Sequence, residues 1–221
     1  GSINVVPKRA PNEPLMRGSA GWESGNQGYV AVDMARRFGP ENRTGIRLNA
    51  VTRSGGSAVD DEHRRLGAVG LGIDWKGDRT RLSADIGWQD HRLKRSQPSI
   101  TFASGLEIPS AIDAERNVAQ DYTFSNARDV FGTLRGEFDV TDRIVAWAAL
   151  GMRESEESSL LANPTVTNAM GDMTQNAFRG ERKDSVLTGE VGARAEFETG
   201  SVGNKVNVAL NFYHFESKNA Y

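Results

Sequence analysis

Apolar and polar residues alternate one by one along most of this chain. About nine segments show this period of two, which is typical of a β-strand with two different faces. The clearest pair covers residues 66–75 and 81–89, which are joined by the short glycine-containing turn expected of a hairpin. One face of the pair is apolar and consists of Val69, Leu71, Ile73, Trp75, Leu82, Ala84, Ile86 and Trp88. The pattern predicts an all-β fold.

The opposite face of this hairpin is polar and carries Asp74, Arg81 and Asp85. Charged side chains are costly in a dry protein core. We therefore expect this face to border a wet lumen or a polar plug, and the apolar face to border lipid. Residues 143–152 are apolar at nearly every position, so their two faces cannot be assigned from alternation.

The connections between the segments alternate in length. Short turns are predicted at Pro40, Gly77, Asp142 and Gly200. The links near Asn26, Gly56, Gly105 and Met170 fall on the other rim, and two of them are predicted to be long loops, over residues 96–126 and 156–183. Outer-membrane barrels have short periplasmic turns and longer extracellular loops. The chain is thus predicted to be an antiparallel up-and-down meander of about nine strands from a larger transmembrane β-barrel.

Composition is compatible with this prediction. The chain has 221 residues, 38% of them hydrophobic, and its mean hydropathy is −0.52. No stretch approaches the roughly 20 apolar residues that a membrane helix needs. The net charge of −2 argues against a nucleic-acid partner. Cysteine is absent, which excludes a disulfide scaffold and a thiol nucleophile.

The segment INVVPKRAPNEP, residues 3–14, precedes the first strand. It reads as a short β-type run that Pro7 ends, followed by a basic linker punctuated by proline. This segment resembles the end of the plug domain in TonB-dependent outer-membrane siderophore receptors. There the pattern Gly-Gly-x-Ile-Asn-x-Val-x-Lys-(Arg/Lys)-x-Pro stands directly before the first barrel strand. The matching residues here are Ile3, Asn4, Val6, Lys8, Arg9 and Pro11.

The resemblance extends along the chain through RRFG at 36–39, LANPTVT at 161–167 and TGEVGARAEF at 188–197, which are similar to the ferrichrome-type subgroup. It implies that residues 1–13 close the plug and its linker, and that 14–221 form the first, incomplete part of a barrel. Family barrels have about 22 strands. The implied function is uptake of ferric siderophores across the bacterial outer membrane. The partners implied are the siderophore, membrane lipid and the TonB complex, which acts through a plug that this chain lacks. No cofactor and no enzymatic activity are implied.

Four residues at the return of the first long loop are candidate ligand contacts: Tyr122, Phe124, Arg128 and Phe131. In a siderophore receptor, aromatic and arginine side chains can hold an anionic or polar iron chelate by stacking and charge. Loop packing together with an aromatic girdle at the membrane interface is the alternative explanation.

The other candidate functional residues, for metal binding or catalysis, have weaker support in the sequence. Residues 60–63, Asp-Asp-Glu-His, have ligand types for a hard cation, but acidic loop tips commonly bind nothing. His91 and His214 are isolated and lack a partner nucleophile, so an enzyme is disfavoured. Two other functions stay open, a soluble all-β ligand-binding module and a passive porin-like barrel.

Overall fold

The computed structural model describes residues 7–107, 110–111 and 113–221. Ile3, Asn4 and Val6 of the linker motif, and Pro109 of the first long loop, lie outside the described residues. The strands are β1 Leu15–Glu23, β2 Gln27–Phe38, β3 Thr44–Gly56, β4 His63–Lys76, β5 Thr80–Lys94, β6 Thr101–Phe102, β7 Phe124–Thr141, β8 Ile144–Ala162, β9 Thr165–Val166, β10 Met173–Thr174, β11 Ala177–Thr199 and β12 Val202–Ala220.

Nine of these strands form one sheet in the order β1-β2-β3-β4-β5-β7-β8-β11-β12. Every neighbouring pair is antiparallel, and each strand pairs with the long strand that follows it in the chain. The predicted up-and-down meander is therefore confirmed. The part of the chain that the structure describes has no helix long and apolar enough to cross a membrane.

All four predicted short turns join neighbouring long strands. The turn between β2 and β3 is a single 3-10 turn, Pro40–Asn42. Gly200 has a φ of 63°, a left-handed conformation that glycine adopts without steric cost, in the turn between β11 and β12. Arg43 donates hydrogen bonds to Glu41 and to Asp78 of the next turn, and these bonds raise the pKa of Arg43. Two turns of this rim are thereby linked.

The two faces of the sheet differ in polarity as the alternation predicts. Leu71 lies opposite Leu48 and Ile86 in the register, whereas Gly72 lies opposite Asp85. The apolar face is exposed: Ile86 and Leu134 keep 56% and 54% of their accessible surface. Among the described residues the buried apolar side chains are small: Ala10, Ala35, Ala119, Ala162 and Pro164. The part of the sheet that the structure describes therefore has no apolar core of its own.

The faces of β8, which alternation left open, are settled by the register. Leu150 lies opposite Leu134 on the apolar face, while Trp147 lies opposite Glu137 on the polar face. The indole Nε1 of Trp147 donates a hydrogen bond to Glu190 of β11. A tryptophan within an apolar run thus belongs to the polar face because its N–H has a carboxylate partner there.

The predicted bounds of the long loops are wrong. β8 continues to Ala162 and β11 begins at Ala177, so the second loop covers residues 163–176. The first loop covers residues 95–123 and contains β6, which pairs in parallel with β9 of the second loop. The strands extend beyond the part of the sheet that has an apolar face. In this extension both faces carry charged side chains. Lys183, for example, binds Glu154 and Glu156 across the ladder at 3.5 and 3.3 Å.

Candidate functional site

The linker that precedes β1, residues 7–14, lies against the polar face of the sheet. The guanidinium of Arg9 binds the carboxylate of Asp85 on β5 through two hydrogen bonds of 2.8 and 2.7 Å. Two-point binding of this kind is among the stronger and more directional polar contacts in proteins. This short linker is thus attached to a residue 76 positions away in sequence.

The backbone of the linker is held as well. Arg47 on β3 donates from Nη1 to the carbonyl oxygen of Arg9 at 2.9 Å. Its Nε and Nη2 bind the carboxylate of Asp33 on β2, at 2.9 and 2.6 Å. Asp33 therefore orients the arginine that binds the linker.

Arg37 on β2 repeats this arrangement one residue further along the linker. It donates from Nη1 to the carbonyl oxygen of Ala10 at 3.1 Å, and from Nη2 to Asp74 on β4 at 2.7 Å. We call the seven residues involved the linker clamp: Arg9, Ala10, Asp33, Arg37, Arg47, Asp74 and Asp85.

Glycine residues make room for the clamp. A Cβ atom at Gly45 would lie 2.6 Å from Oδ1 of Asp74 and 3.1 Å from the Cβ of Ala10. A Cβ atom at Gly72 would lie 3.0 Å from Oδ1 of Asp85. Because no side chain intervenes, the linker packs directly on the sheet, and Ala10 keeps only 7% of its accessible surface.

At the opposite rim, three connections are joined to one another. Arg95, which follows β5, binds Asp61 in the link between β3 and β4 at 2.8 Å, and donates to the carbonyl oxygen of Ala119 at 3.3 Å. The backbone N–H of Asp60 donates to the carbonyl oxygen of Glu115 at 2.7 Å. The first long loop is therefore tied to the preceding link as well as to its own strands.

The two long loops are joined through the pairing of β6 with β9. The N–H of Thr101 donates to the carbonyl oxygen of Pro164 at 3.1 Å, and the N–H of Ala103 donates to that of Val166 at 2.9 Å. The hydroxyl groups of Thr101 and Thr165 lie 2.8 Å apart. We call residues 57–62, 95–123 and 163–176 the outer loop cluster. The first long loop therefore contains a short strand that is paired with the second loop.

The structure does not bring the four candidate ligand residues onto one surface. Tyr122 is exposed in the first loop, and Phe124 begins β7 opposite Lys94. Arg128 shares the face of Val130 and approaches Asp90 at 3.9 Å. Phe131 lies on the other face, with its ring against Gly87. That any of the four contacts a ligand stays a prediction.

A different row surrounds Phe131 on the polar face. Arg153 lies opposite Phe131, Val186 lies opposite Arg153, and Phe215 lies opposite Val186. The ring of Phe215 stacks with that of Tyr213, with centroids 6.4 Å apart. We call Phe131, Arg153, Tyr213 and Phe215 the aromatic–arginine row. This row was not predicted from the sequence, because cross-strand register decides which distant residues become neighbours.

Two acidic side chains of the segment 60–63 form ion pairs with arginine residues. Asp61 binds Arg95, and the buried Glu62 binds Arg64 at 2.7 Å. Over residues 7–107, 110–111 and 113–221, no group of three or more histidine, cysteine or acidic side chains is arranged to hold a metal ion.

Comparison with known proteins agrees with this architecture. No protein-family model matches the chain. The chain is 31% identical to the ferrichrome receptor FcuA of Yersinia enterocolitica over all of its 221 residues, which are 29% of that protein. It therefore spans less than a third of the length of this relative.

Solved structures share the fold. The ferric preacinetobactin receptor BauA of Acinetobacter baumannii superposes with a TM-score of 0.92 at 26% identity, over 96% of this chain and 32% of that one. The ferric-catecholate import receptor Fiu of E. coli has a TM-score of 0.85 at 19% identity, over 99% of this chain and 34% of that one. The chain is therefore similar in sequence to part of a ferrichrome receptor, and its sheet has the fold of a fragment of the barrel wall of siderophore receptors.

Proposed function

We propose that residues 14–221 are the first part of a barrel that imports ferric siderophores, energised through TonB, and that residues 1–13 end the plug and its linker. The observation that carries this proposal is a sheet with one continuous apolar face and one polar face to which a linker is clamped. Lipid covers the apolar face and replaces the missing core, since barrel strands alternate apolar-out and polar-in.

The clamp favours a receptor over a passive porin-like barrel. In a passive pore the inner face lines an open water path, and a chain segment bound across it would narrow that path. Here Arg9 and Ala10 are held against the inner face by side chains from β2, β3 and β5. A segment placed there is expected where a plug domain precedes the barrel.

The aromatic–arginine row supports contact with an iron chelate. The side chain of Arg153 keeps 55% of its accessible surface although it pairs with Asp129, and Phe131 and Tyr213 keep 43% and 67% of theirs in this chain. Aromatic rings can stack on the planar groups of a chelate, and arginine can bind its anionic oxygens. We propose that this row, with the outer loop cluster above it, contacts the ferric siderophore.

Replacing Phe131 by alanine in the full-length receptor is expected to weaken ferric siderophore binding about 3- to 30-fold, as expected when a stacking or cation–π contact is lost. Phe138→Ala is the matched control, because Phe138 lies on the apolar face of the same strand. Fluorescence titration of the purified receptors measures the affinity.

Uptake of radioactive iron by cells that carry only this receptor tests the function itself. Absence of siderophore-dependent uptake by the unaltered receptor would refute the proposed transport. Normal uptake with unchanged affinity in Phe131→Ala would refute only the placement of the ligand.

A further inference from the structure

We propose that the linker clamp stays closed throughout transport, so that any movement of the preceding chain ends at Lys8. This inference rests on the proposed function, because it concerns a receptor whose plug is displaced in each cycle. It makes Arg9 and Ala10 a fixed part of the barrel, although in sequence they precede its first strand.

The contacts of the clamp are numerous for so short a segment. Two consecutive linker residues receive or make four hydrogen bonds to the sheet, two through the Arg9 side chain and two through the carbonyl oxygens of Arg9 and Ala10. All four involve a guanidinium group, and hydrogen bonds to charged groups are stronger than neutral ones.

Solvent screens these contacts only in part. The side chains of Arg37 and Arg47 each keep 11% of their accessible surface, and that of Asp85 keeps 10%. Removing one member of a poorly solvated ion pair leaves the other charge without a partner, which is costly. Opening the clamp would leave Asp85 without its arginine partner, whereas Arg37 and Arg47 would keep Asp74 and Asp33 and would lose only their bonds to the linker carbonyl oxygens.

The clamp distributes force over several strands. Its sheet residues come from β2, β3, β4 and β5, which are joined by continuous antiparallel ladders. A pull on the linker would therefore load the four clamp hydrogen bonds, which are anchored on a continuous sheet, before it reached the first strand. Without the clamp, the same pull would act directly on Leu15, where the ladder between β1 and β2 begins. The clamp thus protects the first strand from being peeled off.

The bounds of the fixed segment follow from exposure. Pro7 and Lys8 are exposed, Arg9 is half-buried and Ala10 is buried. Residues 11–14 are exposed again and lead into β1. The chain is therefore fixed at two adjacent residues and is open to solvent on either side of them.

Cysteine accessibility tests the proposal in the full-length receptor, transporting in cells. This chain has no cysteine, so in a receptor whose remaining part is also free of cysteine Ala10→Cys introduces a single reporter, and Asn12→Cys provides an exposed control two residues away. With a membrane-permeant maleimide, the cysteine at position 10 should react at least about 10-fold more slowly than that at position 12, with or without ferric siderophore. A rate at position 10 that rises to the control rate during transport would overturn the proposal.

A second variant shows that protection comes from the clamp. Asp85→Asn in the Ala10→Cys background removes the charge that binds Arg9, and labelling of position 10 should become at least about 5-fold faster. Unchanged protection in this variant would also overturn the proposal. Iron uptake is measured in the same cells, so a receptor that fails to transport is distinguished from a clamp that opens.

Discussion

Arginine in place of Leu71 is expected to lower the free energy of unfolding of the membrane-inserted barrel by about 2–4 kcal/mol. Leu71 lies in the middle of the apolar face, between Leu48 and Ile86. A guanidinium at that position would enter the hydrocarbon region, where water cannot solvate it and where no carboxylate is within reach on the same face of the neighbouring strands. Urea titration of the full-length receptor in lipid bilayers measures the change.

Ser83→Asn is the matched control for Leu71→Arg. Ser83 lies on the polar face, opposite Asp74 and Arg135, so a second polar side chain there should change the unfolding free energy by less than about 1 kcal/mol. Equal losses in the two variants would mean that the faces of this hairpin do not differ in their surroundings.

Deleting residues 97–120 from the full-length receptor is expected to weaken ferric siderophore binding at least about 10-fold, a loss of roughly 1.4 kcal/mol of binding free energy. The deletion removes β6 and with it the pairing to β9, so the second loop also loses its support. The sheet should still form, because β5 and β7 are paired up to Lys94 and Phe124 and need only a short turn. Heat-modifiable migration on gels reports barrel assembly.

Two outcomes of the loop experiment would contradict the account. Unchanged affinity after deletion would show that the outer loop cluster does not contact the ligand. An epitope inserted at Gly105, a residue in open surroundings with a φ of 85°, should bind antibody on intact cells. Failure to bind would mean that this rim faces the periplasm.

The alternation of apolar and polar residues predicted the two faces of the sheet, because one face carries apolar side chains and the other carries polar ones. This difference in polarity is limited to the part of the sheet that we propose to lie in the membrane. Around Glu154 and Lys183, beyond the apolar rows, both faces carry charges and the period of two is lost. The hydrogen-bonded ladder nevertheless continues there, because backbone pairing does not require an apolar face. The predicted strand ends were therefore too early at the rim that carries the long loops.

The candidate site was predicted less well than the fold. Arg128 and Phe131 were grouped by proximity in sequence, yet they lie an odd number of residues apart on one strand and so face opposite sides. No local sequence pattern could predict the linker clamp. Arg9 and Asp85 are 76 residues apart, and only the register of five strands brings them together. Alternation placed Asp85 on the polar face but did not identify its partner.

Labelling of single cysteines by a lipid-confined reagent tests most directly whether this sheet is a wall between lipid and lumen. Position 71 on β4 and position 82 on β5 lie on the apolar face, and positions 83 and 85 on β5 lie on the polar face. In the full-length receptor the account predicts labelling at 71 and 82 and none at 83 and 85. Labelling at 83 and 85 without labelling at 71 and 82 would contradict it.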